Sequence, residues 1–152
     1  MVRQNRHSSA SDFPRRSARS RRYAARVLAV GQSEHVRLWA CRQLRKAGFT
    51  VITTDDGVDA LILAHGDPPD LILTDDDVGR LDVRHLLTLL RRDVRTAGTP
   101  VLLITPRTDG DFARDCRALG ATLVVKPGAR SPAASAAATV ASASLRERAR
   151  NA

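Results

Sequence analysis

From Arg26 onward, short apolar runs alternate with stretches whose apolar residues recur every three or four positions, which predicts strands alternating with helices and hence a parallel sheet. RVLAV (Arg26 to Val30) reads as a buried strand. Ser33 then caps a helix carrying Val36, Ala40, Leu44 and Ala47 on one face, stopped by Gly48. Thr50 to Thr54 predicts a second strand, and about Val58 to Ala64 a second helix. DLILT (Asp70 to Thr74) is a third, apolar strand, ended by the acidic run Asp75, Asp76, Asp77. From about Asp82 to Arg92 a helix places Val83, Leu86, Leu87 and Leu90 together. PVLLI (Pro100 to Ile104) is a fourth strand, Phe112, Cys116 and Leu119 lie on the helix after it, and Thr122 to Val125 is a fifth strand. Ser131-Pro132 opens an Ala-rich last helix, with a cap followed by proline at its first position.

Composition supports this reading and separates the ends from the middle. A length of 152 residues suits one domain, and 43% hydrophobic residues with only 3% aromatic suit helices packed on a sheet better than a β-sandwich. The net charge of +9 points to nucleic acid until it is divided along the chain. Residues 1 to 25 carry seven Arg and one Asp, whereas residues 26 to 130 carry 15 basic and 14 acidic side chains. The first 25 residues also lack any apolar period, so the expected organisation is a disordered Arg/Ser-rich tail (1–25), a folded domain (26–145) and a short C-terminal tail (146–152). A basic excess confined to a tail argues against nucleic acid as the main partner, leaving at most a salt-sensitive contact through that tail.

Nothing approaches eighteen consecutive apolar residues, and the first 25 residues have no secretory apolar stretch, so a cytoplasmic protein without membrane contact is expected. Cys41 and Cys116 have neither metal nor redox spacing and read as reduced packing residues. His35, His65 and His85 have no carboxylate or Cys at ligand spacing and read as surface or boundary residues, Trp39 reads as a packing residue, and the glycines form no phosphate-binding loop.

Ligands of an open parallel sheet bind beyond the carboxyl ends of its strands. That rule selects Gly31-Gln32, Asp75, Thr105 and Lys126. A carboxylate can accept a phosphoryl group as a covalent nucleophile if cations neutralise the charge in transfer. Lys126 would supply one cation, and Thr105 would hydrogen-bond a phosphoryl oxygen and so report its presence. By residue type alone, polar strand ends fit an ordinary α/β protein equally well.

The segments DLILTDDDVGRLD (Asp70 to Asp82), PVLLIT (Pro100 to Thr105), Gly120-Ala121 and VVKP (Val124 to Pro127), with DDGVDAL (Asp55 to Leu61), resemble the receiver domain of bacterial response regulators. The likeness runs over roughly residues 26 to 145. It implies an α/β, flavodoxin-like, doubly wound five-stranded parallel sheet in the order 2-1-3-4-5 with helices on both faces. It also implies a signalling module of a two-component phosphorelay rather than an enzyme, phosphorylated by a histidine kinase or phosphotransfer protein and acting on a downstream protein partner. By motif position Asp75 matches the phosphoacceptor, Thr105 the switch hydroxyl and Lys126 the invariant lysine. Asp75 and Asp77 match positions that ligate magnesium, Asp77 through its backbone carbonyl, and the Lys126-Pro127 bond matches the family's cis peptide.

The departures from the family pattern cluster at the chemistry. Gly31-Gln32 replace the acidic pair, so magnesium is expected to bind weakly or not at all, and aspartates at both positions are expected to increase labelling of Asp75 by acetyl phosphate with magnesium. Glu34 or Asp76 is the alternative source of a replacement carboxylate. Pro106 stands where an N–H normally follows Thr105, and Leu123 stands at the aromatic switch. Two receiver functions follow: a phosphoaccepting stand-alone receiver with no DNA-binding or enzymatic domain after Val125, and a degenerate receiver that works by protein contacts alone.

Overall fold

Alternating apolar runs and amphipathic stretches fold as their periods require in the computed structural model, which describes residues 25–125. In chain order the elements are β1 (Arg26–Val30), α1 (Glu34–Lys46), β2 (Thr50–Thr54), α2 (Gly57–Gly66), β3 (Leu71–Asp75), the short strands β4 (Asp77–Val78) and β5 (Leu81–Asp82), α3 (Val83–Arg92), β6 (Val101–Thr105), α4 (Gly110–Ala118) and β7 (Ala121–Val125). Lys126, the Lys126-Pro127 bond, both expected tails and the expected Ser131 helix lie outside the described residues.

Five strands pair in parallel in the order β2-β1-β3-β6-β7. Counted over these five alone, this is the expected 2-1-3-4-5 order of a flavodoxin-like sheet. The central strands β3 and β6 are buried at every position, because helices cover both faces. Successive strand residues point to opposite faces and so feed two cores. On one face Leu28, Val30, Ile72 and Leu103 meet Ala60 and Ala64 of α2, Val83, Leu86, Leu87 and Leu90 of α3, and Cys116 of α4. On the other, Val27, Ala29, Leu71, Leu73, Leu102 and Ile104 meet Ala40, Cys41 and Leu44 of α1, with Trp39 packed alongside. Both cysteines are free and buried, as their helical setting suggests. Leu123 is half-buried against the first of these cores.

Two features differ from the sequence expectation. Strands β3 and β6 run one residue further than their apolar runs, because ladder pairing continues from Asp75 to Ile104 and from Thr105 to Val125. Asp75 and Thr105 therefore stand on rigid sheet backbone, not in loops. The segment after Asp75 also forms a small antiparallel hairpin, pairing Asp77 with Asp82 and Val78 with Leu81. Gly79 takes φ +71 in its turn, with Gln32 Nε2 2.7 Å and Asp56 Oδ2 3.0 Å from where a Cβ would stand.

At the opposite end of the sheet Arg91 acts as a structural tie. Its guanidinium donates to the carbonyls of Leu119 (2.9 Å), Ala97 (3.0 Å), Thr99 (2.7 Å) and Gly120 (3.2 Å), joining the end of α3 to the entries of β6 and β7. Burial lowers its pKa, yet its donors are well used. Replacing it with Met keeps most of the apolar stem and strands these acceptors. Arg91→Met should therefore lower stability by about 1–3 kcal/mol, read as a reduced urea midpoint with an unchanged slope.

Candidate functional site

Asp75 ends the middle strand of the sheet and is 3% exposed. Its Oδ1 accepts the N–H of Asp76 at 2.8 Å. Gly31, the residue just after β1, lies directly beside it: a Cβ at position 31 would stand 2.7 Å from Asp75 Cβ. Real Cβ atoms do not approach so closely, so glycine is what lets the two strand ends close up. Of the two aspartates expected to raise labelling, the one at position 31 would press on Asp75. Position 31 accepts no side chain unless Asp75 moves, and only Gln32, which is exposed, has room for an acid.

The end of β1 is capped by a cation rather than by acids. Arg37, one turn into α1, donates through Nη1 to the carbonyl of Gly31 and, at 2.9 Å, to that of Gln32. Arg37 and Asp75 border the same small crevice, with Val30, Val36 and Ala40. The Gln32 side chain turns away and donates to the Asp55 carbonyl at 3.2 Å, while its backbone N–H donates to the Asp77 carbonyl at 3.0 Å.

Thr105, fully buried at the end of β6, stands on the strand next to Asp75. Its hydroxyl donates to Asp76 Oδ2 at 2.8 Å and accepts the N–H of Arg107 at 3.0 Å. Arg107 Nε lies 3.6 Å from the same Asp76 oxygen. The fold thus brings Asp75, Asp76, Asp77 and Thr105 to one edge of the sheet, as the strand-end rule requires. Lys126 is the candidate site residue outside the described residues.

These groups do not fit a magnesium centre. A hard cation takes about six oxygens and prefers charged ones. Among the described residues no three carboxylate, imidazole or thiolate side chains converge on a common point. The Asp77 carbonyl already accepts the Gln32 N–H, and Asp77 Oδ1 accepts the N–H of Gly79 at 3.2 Å. Of the two proposed substitutes, Asp76 has its Oδ2 engaged by Thr105 and Arg107, and Glu34 is exposed on the first turn of α1.

Known proteins match this arrangement. The response regulator receiver domain family matches residues 27–136. PilG of Pseudomonas aeruginosa is 32% identical over 87 residues, 57% of this chain and 64% of PilG, so the chain spans less than two thirds of that relative's length. The structure of the chemotaxis response regulator CheY4 of Vibrio cholerae superposes with a TM-score of 0.71 at 28% identity, over 78% of this chain and 99% of that one. A receiver domain of a P. aeruginosa sensor histidine kinase, with magnesium coordinated in its active-site cleft, has a TM-score of 0.70 at 17% identity, over 81% and 98% of the two chains. At that identity the likeness is one of fold.

The sequence reading missed the arginines that tie this edge together. Asp56, buried as the cap of α2, accepts Val58 N–H at 2.8 Å and also pairs with Arg80 from the hairpin turn, Nε to Oδ2 and Nη2 to Oδ1 each at 3.0 Å. Asp56 preceding an apolar helix was a findable cap signal, but a partner 24 residues away leaves no periodic trace. His65 likewise proves to pair with Asp93 at 2.7 Å, a tertiary contact that ligand spacing does not reveal. The Arg80 hydrogen bonds, assisted by the backbone N–H groups and opposed by burial, hold the Asp56 carboxyl well below the usual carboxylate range. A depressed native pKa stabilises the fold above the unfolded pKa and loses that contribution as acid protonates the native group. Arg80→Met should therefore destabilise the protein by a constant margin above about pH 5 and by a shrinking margin below about pH 4, measured by urea unfolding across pH.

Proposed function

Since this chain belongs to the response regulator receiver domain family, we propose that its task is to accept a phosphoryl group on Asp75 and to signal through a protein partner. The observation that carries the proposal is the placement of Asp75: a buried carboxylate at the C-terminal end of the central strand, on rigid backbone. In the transfer, an Asp75 carboxylate oxygen attacks the phosphorus of a phosphohistidine on a histidine kinase or phosphotransfer protein. The P–N bond breaks, its electron pair stays on the imidazole, and an acyl phosphate forms. The Asp76 N–H already donates to Asp75 Oδ1, and Lys126, by its motif position, supplies a cation. The role is signalling rather than turnover of a substrate.

The likeness to a chemotaxis response regulator supports an output through protein contacts. A cytoplasmic location fits that reading, and among the described residues no helix is long and apolar enough to cross a membrane. Magnesium, coordinated in one similar receiver, takes at most a weak part here, because Gly31 and Gln32 bring no acid and Arg37 caps their carbonyls. The same observation favours a second reading, in which the domain serves as an interaction module without phosphorylation.

Incubation of the full chain with radiolabelled acetyl phosphate separates the two. The expected result is weak labelling of Asp75 that magnesium hardly changes, that Gln32→Asp raises in the presence of magnesium, and that Asp75→Asn abolishes. If neither acetyl phosphate nor a phosphorylated histidine phosphotransfer protein labels the chain, the interaction-module reading stands. Strong magnesium-dependent labelling of the unmodified protein would show that a metal site assembles despite Gly31.

A further inference from the structure

A threonine hydroxyl has one proton to give, and Thr105 gives it to Asp76. A hydroxyl bond to a carboxylate acceptor is charge-assisted and stronger than one between neutral groups. The same Asp76 oxygen faces Arg107 Nε at 3.6 Å, and the Arg107 backbone N–H closes the ring by donating to Thr105 Oγ1 at 3.0 Å. Arg107 is itself braced: its guanidinium lies 3.5 Å from the centroid of the Phe112 ring on α4, and Phe112 packs against the core. A continuous run of contacts therefore joins the residue after Asp75 to the switch hydroxyl, to the β6–α4 loop and to α4. That loop has little else to fix it. Asp109, at the start of α4, makes no capping hydrogen bond with its side chain, and the Thr108 carbonyl is held by Arg117 at 2.9 Å.

We propose that Asp76 and Arg107 are positioning residues that hold the Thr105 hydroxyl, and with it the β6–α4 loop, in one arrangement whether or not Asp75 carries a phosphoryl group. For Thr105 to turn its proton toward a phosphoryl oxygen on Asp75, it must leave Asp76. That would uncover a carboxylate, held by Arg107 at 3.6 Å, on the residue next to a new dianion. The competing acceptor is built into the chain, and it makes the output state of the loop constitutive. This inference rests on the reading of Asp75 as the acceptor, but its first test does not.

Amide spectra and hydrogen exchange of the full-length protein, without any phosphodonor, examine the hold itself. Asp76→Ala should move the Arg107 amide resonance and speed its exchange by about tenfold or more, while Asp76→Asn, which keeps an oxygen acceptor, should restore part of the protection. Beryllium fluoride, a phosphoryl mimic whose occupancy is read independently by fluorine resonance, then examines the coupling. On occupancy the Arg107 to Gly110 amides of the unmodified protein should stay in place, whereas in Asp76→Ala they should shift. Such a gained response is not produced by simple loss of stability. An Arg107 amide unchanged by Asp76→Ala, or a loop that moves fully in the occupied unmodified protein, would overturn the proposal. Absence of bound fluoride in every variant would count against the acceptor reading instead, and the donor-free comparison would then decide alone.

Discussion

The close approach of Gly31 to Asp75 is the constraint on which the site depends. With 2.7 Å between Asp75 Cβ and the place where a Cβ at position 31 would stand, the end of β1 closes on the end of β3. No acid enters there. Around this end of the sheet the cations are arginines: Arg37 on the carbonyls of Gly31 and Gln32, Arg107 beside Asp76, and Arg80 on Asp56. Guanidinium groups suit this role, since each offers several donors in a fixed plane and keeps its charge at any relevant pH.

The same substitution explains why the acidic edge is tied down. Gln32 N–H reaches the Asp77 carbonyl, Asp56 holds the hairpin turn through Arg80, and Thr105 is bonded to Asp76. Each of these bonds spends a polar group that an exchangeable ligand would otherwise use. Among the described residues the five-stranded receiver sheet is present, with its central carboxylate buried on sheet backbone. A domain built this way is suited to presenting a fixed face to a partner.

Most of the fold was legible because strands and helices have different periods. The apolar runs at 27–30, 71–73 and 101–104 could only be buried strands between helical stretches, and the spacing of Val83, Leu86, Leu87 and Leu90 marks the buried face of α3. The position of Asp75 and Thr105 at one sheet edge followed from topology. Hydropathy did not show that both belong to strands, because strand ends are set by ladder hydrogen bonds. Nor did it show the β4–β5 hairpin, whose two-residue strands are too short to express a period. The arginine contacts were hidden for a related reason: Arg80 and Asp56 are 24 residues apart, and nothing local couples them. The missing acids at 31 and 32 were visible in the sequence, but the crowding of position 31 by Asp75 is a distance across two strands.

We propose that protein groups, not a divalent cation, balance the charge around Asp75. Titration of the full chain with manganese, followed by paramagnetic broadening of its amide resonances, tests it directly. The account predicts no selective broadening of the Asp75, Asp76 and Asp77 amides below about 1 mM manganese, only a gradual loss shared with exposed acidic residues elsewhere. Saturable broadening confined to those three amides at concentrations on the order of tens of micromolar would contradict it.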